Sequence, residues 1–155
     1  MNVPTSNEVL RRQFERSWQV VTKAMATFTP EEWVTGEVDY LTPARLAYHI
    51  VETAEFYTGD MPDGFAWGHR FGCDWEGAKI AELPDQESVA AYLTEVRDQV
   101  ESFLRQDLLA EDPNFPWCGG TRLDRALYLM RHNHHHVGEL WSEIKRHGHE
   151  LPDWH

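Results

Sequence analysis

The sequence predicts an all-α protein, a four-helix bundle with a long crossover loop between its second and third helices. Three observations predict it. Four separate stretches repeat apolar residues at three- and four-residue steps, the period of one helix face. No stretch alternates apolar and polar residues between hairpin turns, so strands are not expected. The chain has 155 residues, enough for one well-filled core and too few for two, so a single domain over residues 1–155 is expected.

The first helix is expected over about residues 6–28, where Leu10, Phe14, Ser17, Val21, Met25 and Phe28 share a face and Thr29-Pro30 ends the run. The second opens at Thr42-Pro43, a capping residue followed by proline at the first helical position, and stops at Gly59. The third follows Pro84-Asp85, with Asp85 as the cap and Val89, Leu93, Val96, Val100, Phe103 and Leu104 as its stripe. The fourth opens at Thr121, with Asp124 three positions on to complete a capping box. It runs to His147 and is closed by Gly148, with Pro152 beyond. Residues 60–84 form a long aromatic and glycine-containing connection, of a length that is usually functional or spans a bundle as a crossover. Within it, and in the connection before the fourth helix, Trp67, Trp75 and Trp117 are candidates for a pocket rim or for plain loop packing.

Composition narrows the function. A formal net charge of -12 repels phosphate backbones and anionic membranes, so neither nucleic acid nor membrane is an expected partner. No apolar run is long enough to span a bilayer, no signal peptide is visible, and the expected location is cytoplasmic. Cys73 and Cys118 are then expected as free thiols.

The chemistry lies in the histidines. The run Arg131-His132-Asn133-His134-His135-His136 falls inside the fourth helix and holds four of the chain's 9 histidines. His132 and His136 are four residues apart, so they project from one face one turn apart and can share a metal ion. A solvated, histidine-rich face is the competing reading. On the helical wheel Leu129, Asn133, Leu140 and Ile144 mark the buried face, while Tyr128, His132, His136, Glu139 and Glu143 make a polar stripe beside it. His49 shares a face with Leu46, Thr53 and Tyr57 in the second helix and points inward. Alone it reads as a core histidine satisfied by a hydrogen bond. Were the second and fourth helices neighbours, it would complete a three-nitrogen site. His134 and His135 point away, His135 towards the rim; His147, His149 and His155 suit a surface position near a helix C-terminus, and His69 in the long loop is unassigned. Glu139 is a candidate outer acceptor or base beside the ligands, and equally an ordinary exposed helix glutamate.

In this order the residues resemble the DinB-like superfamily of small metalloenzymes, which includes the YfiT-type proteins. The matching pieces are Trp33 ahead of the second helix, Thr42-Pro43 and then Leu46-Ala47-Tyr48-His49, and His132 to His136 followed by Val137-Gly138-Glu139-Leu140, with Gly148 and Pro152 after them. They cover roughly residues 30–60 and 120–152. The resemblance implies a four-helix bundle, often a homodimer, with a divalent metal ion, zinc or nickel, on His49, His132 and His136. It also implies thiol-dependent S-transferase or isomerase chemistry on a small molecule, using a low-molecular-weight thiol. Two departures stand out: Val137 where a basic residue often follows the last ligand, and Glu139 in place of the usual glutamine. Three imidazoles leave a coordination position open, which points to catalysis. Hydrolysis by a metal-activated water, with Glu139 or Glu52 as base, is the alternative mechanism. A non-catalytic metal-binding or stress-response protein is the alternative outside enzymes.

Overall fold

A computed structural model of the chain describes residues 4–154. Its helices are α1 (Ser6–Thr27), α2 (Pro30–Trp33), α3 (Pro43–Thr58), α4 (Gln86–Leu104) and α5 (Arg122–Arg146). Among the described residues there is no strand, only an isolated bridge between Glu111 and Thr121. None of the helices is long and apolar enough to cross a membrane. Every stripe residue expected in the first, third and fourth helices is buried, and all but the polar Ser17 and Asn133 belong to one continuous hydrophobic core.

Local chemistry sets the helix ends. Thr5 and Glu8 cap α1 reciprocally, Asp85 accepts from the Ser88 amide to start α4, and Thr121 with Asp124 forms the capping box of α5. Gly148 takes a left-handed φ of 81°, letting its own amide and that of His149 turn back onto Lys145 and Ile144 and close α5. Two expectations need correction. Thr29-Pro30 does not simply end the first helix; it caps the one-turn α2, whose Glu32 returns a bond to the Thr29 amide. Four residues are too few to show a period. Thr42 precedes α3 as expected, but its buried hydroxyl makes no capping bond, so the start is fixed by Pro43 at the first helical position.

The bundle runs up-down-down-up. Asn7 at the start of α1 bonds the Leu104 and Gln106 carbonyls beyond the end of α4, and Gln86 at the start of α4 bonds Met25 and Phe28, so α1 and α4 are antiparallel. Tyr48 meets Tyr92 and, further along both helices, Glu55 and Thr58 meet Gln99, so α3 and α4 are parallel. Parallel neighbours need a connection that returns the full length of a helix, and residues 59–85 supply it. The loop climbs back along α3 on successive side chains of one helix face. His69 meets Glu55, the Gly68 amide donates to Glu52 at 2.6 Å, Tyr48 donates to the Cys73 carbonyl at 3.1 Å, and Arg45 donates to Trp75, Glu76 and Ala78. Finally Trp33 bonds the Pro84 carbonyl at 2.9 Å where the loop hands over to α4. Antiparallel to α3 lies α5, with Tyr57 against Tyr128 and His49 against His132 and His136.

A buried ion pair fastens the far end. Arg125 lies between the Phe103 and Phe115 rings, with its Nε 2.9 Å from Asp112 and its Nη1 donating to the Gly59 carbonyl. Arg125→Ala leaves the Asp112 carboxylate buried without its counter-charge and is expected to cost about 3–5 kcal/mol. The double variant Arg125→Ala/Asp112→Ala should recover part of that loss. Urea unfolding measures both; a loss below about 1 kcal/mol in the single variant would contradict the assignment.

Candidate metal centre

The crossover decides which helices meet. With α5 against α3, the ring of His49 faces those of His132 and His136. His49 Nε2 lies 3.1 Å from His132 Nε2, and His136 Nε2 lies 3.2 Å from His132 Nε2. The three nitrogens fall within 4.8 Å of one another and form a group able to hold a metal ion. Zinc-type ions bind imidazole at about 2.0–2.1 Å, which sets tetrahedral donors roughly 3.3–3.4 Å apart. The spacing of the trio is close to that.

The outer nitrogens account for the orientation. His49 Nδ1 is 3.2 Å from the Thr53 hydroxyl one turn on, and His136 Nδ1 is 2.7 Å from Glu139. His132 Nδ1 has only a long contact of 3.4 Å to Asn133. Each outer atom thus has an oxygen neighbour while each Nε2 points to the common centre, the pattern in which an outer partner fixes a ligand imidazole. Burial favours neutral rings here. It pushes His49 down to about 2, helped by repulsion from His136 and His132. His132 is held near about 4 by burial and then by His136. Burial also lowers His136, against the opposing pull of the Glu139 carboxylate. Neutral imidazoles keep their lone pairs for a cation.

One wall of the centre comes from the crossover. Trp75 is buried and packs on His49 with ring centroids 3.8 Å apart, and the half-exposed Tyr40 packs against Trp75 in turn. Arg45, itself 1 % exposed, holds this segment through three carbonyls and through Asp39. On the other side Tyr57 lies 6.5 Å from His132 between centroids, and Trp117 donates to its hydroxyl at 3.1 Å. A surface groove of about 780 Å³ runs along α1 past Arg11 and Arg16 and includes none of these histidines. The chemistry of the donor set, not cavity size, marks the site.

The remaining sequence candidates fall as follows. His134 turns away, bonded to the Met130 carbonyl and near Trp154. His135 is exposed, 3.6 Å from Glu139. His69 pairs with Glu55 at 2.8 Å, and His149 bonds Glu32 at 2.9 Å, with His147 beside it, tying the end of α5 to α2. His155 lies outside the described residues. Cys73 and Cys118 are free. Of the three loop tryptophans, Trp75 joins the site, whereas Trp67 packs on Phe56 and Phe65 away from the histidines. Glu143 is not part of a solvated stripe: it is 1 % exposed and bonded to Arg146 and the Glu37 amide. Sequence reasoning missed Arg45 and the role of Thr53, and named Trp75 only as one of three rim candidates. Thr53 had a signal, its four-residue spacing from His49, and Arg45 another, the one arginine in a helix whose other charged residues, Glu52 and Glu55, are acidic. Trp75 had none that set it apart from the other two.

The lowered histidines make a pH prediction for the metal-free protein. Unfolded imidazoles take up protons as pH falls through about 6.5, whereas the folded His132 and His49 resist to about 4 and about 2. Protons therefore favour the unfolded state in that window, and stability should fall steadily between about pH 6.5 and about pH 4. Urea midpoints across the window measure it. The same series on His49→Phe/His132→Phe should slope less; identical slopes would contradict the assignment.

None of the curated proteins matches the chain. The sequence profile described as the DinB superfamily matches residues 13–140, from the first turns of α1 through all three histidines to the last third of α5. That span covers most of the chain, and its helical architecture agrees with the fold. The protein belongs to the DinB superfamily.

Proposed function

We propose that the protein is a metal-dependent enzyme whose divalent ion, zinc or nickel, is held by Nε2 of His49, His132 and His136. The observation that carries this reading is the convergence of three Nε2 atoms while each Nδ1 has an oxygen neighbour. A divalent ion there supplies a positive centre that lowers the pKa of a thiol or a water placed against it. The protein's own part is positional. Thr53 and Glu139 aim the His49 and His136 rings, and Trp75 shields His49 from solvent on the crossover side. Three protein ligands leave a position for a small molecule.

The chemistry favoured for that position is S-transfer or isomerisation with a low-molecular-weight thiol, which rests on the relatives the chain resembles. Glu139 supports it over hydrolysis. Its Oε2 is engaged by His136 Nδ1, which suits a residue that orients a ligand better than a free base for water. The substrate is a small molecule, and a homodimer without nucleic-acid or membrane partners completes the reading.

His49→Ala and His136→Ala should each release the metal while keeping most of the helix content, read as metal per chain by elemental analysis and as far-ultraviolet circular dichroism. Full occupancy in either variant would remove that histidine from the site. In the cobalt-substituted protein a small thiol should change the visible spectrum. No change with any thiol, on a protein that holds cobalt, would rule out thiol chemistry at the centre.

A further inference from the structure

A second set of ligating atoms faces outward from α5. His135, His136 and Glu139 each offer one atom, all within 4.8 Å of one another. His136 takes part through Nδ1, the nitrogen turned away from His49 and His132. Glu139 divides its carboxylate between the two histidines, Oε2 at 2.7 Å from His136 Nδ1 and Oε1 at 3.6 Å from His135 Nε2. The second distance is too long for a hydrogen bond, so His135 and Glu139 face each other without being joined. A zinc-type ion bonded to nitrogen and carboxylate oxygen at about 2.0–2.2 Å sets neighbouring donors roughly 3.0–3.6 Å apart; the two carboxylate gaps lie at or near that range, and the two histidine nitrogens, within 4.8 Å of each other, close to it by rotation of the exposed His135 side chain. The side chains of His135 and Glu139 are 69 % and 26 % exposed, so an ion here is reached from solvent and keeps water ligands.

We infer that His135, Glu139 and Nδ1 of His136 form an outer site for a divalent transition-metal cation, joined to the inner trio by the shared His136 ring. Two imidazole nitrogens and one carboxylate select zinc, nickel or copper over magnesium and calcium, which prefer oxygen ligands. The outer site is the weaker. Its exposed His135 side chain loses rotamer freedom on binding. The ion at Nδ1 also displaces the proton that His136 otherwise shares with Glu139, so one proton passes to solvent for each outer ion bound. Glu139 then has two states: acceptor for His136 when the outer site is empty, and ligand when it is filled.

Zinc titration of the wild-type protein, followed by calorimetry, and elemental analysis after dialysis test this. About two ions per chain are expected, the second bound at least about tenfold more weakly than the first. His135→Ala, at an exposed helix position, should keep the tight ion and weaken the second by at least about tenfold. His49→Ala should do the reverse, losing the tight ion while a weak one remains. Binding of a single ion by the wild type, or a second ion unaffected by His135→Ala, would overturn the outer site. A tight ion that survives His49→Ala would instead sink the inner trio and leave the outer site to the His135→Ala result.

Discussion

Arg45 is the only arginine of α3, and its guanidinium is buried under a loop that follows the helix in sequence. It donates to the carbonyls of Trp75, Glu76 and Ala78 and meets Asp39 on the remaining side. A buried guanidinium tolerates few arrangements, because each unpaired donor costs a large part of its hydration. That demand fixes where the crossover passes. Below it on the same helix face, Tyr48, Glu52 and Glu55 fasten the earlier part of the loop at Cys73, Gly68 and His69. Burial raises the pKa of Glu52 while the Gly68 amide and Tyr48 oppose it, and its other oxygen has no hydrogen-bond partner among the described residues. This polar row sits in the middle of the fold, and what it secures is position: the Trp75 ring over His49.

The adjoining stripe of α3 carries the histidine of the candidate metal centre. His49 and Thr53 lie one turn apart and face α5, where His132 and His136 are also one turn apart. The loop-binding row and the histidine-bearing stripe thus divide one helix between them. In both stripes the side chains at i and i+4 cooperate, a ring with its hydroxyl partner in α3 and ring with ring in α5. Rigid helices hold such geometry better than loops do, and the loop adds only a cover. The inward trio and the His135–Glu139 pair share His136, whose Nε2 faces His132 while its Nδ1 faces Glu139.

The long helices were legible because their apolar stripes repeat over several turns and their caps have sequence signatures. Leu10 to Phe28 and Val89 to Leu104 are buried as their spacing implies. The pairing of His132 with His136 was legible for the same reason. The partnership with His49 was not, since helix adjacency depends on the crossover; only the resemblance pointed to it. Long-range packing hid the rest. Trp75 reaches His49 from 26 positions further along the chain, and Glu143 is buried because it caps the Glu37 amide and pairs with Arg146. A helical wheel carries neither fact. The one-turn α2 was invisible to periodicity, although Thr29, Pro30 and Glu32 carry its capping signature.

The proposed centre requires three imidazole nitrogens to gather around one cation. X-ray absorption at the zinc edge of protein loaded with about one equivalent reads this directly. The predicted result is a shell of about three imidazole nitrogens at roughly 2.0–2.1 Å, with the outer-ring scattering of histidine and no sulfur. A shell of oxygens alone, or sulfur at about 2.3 Å from Cys73 or Cys118, would contradict it.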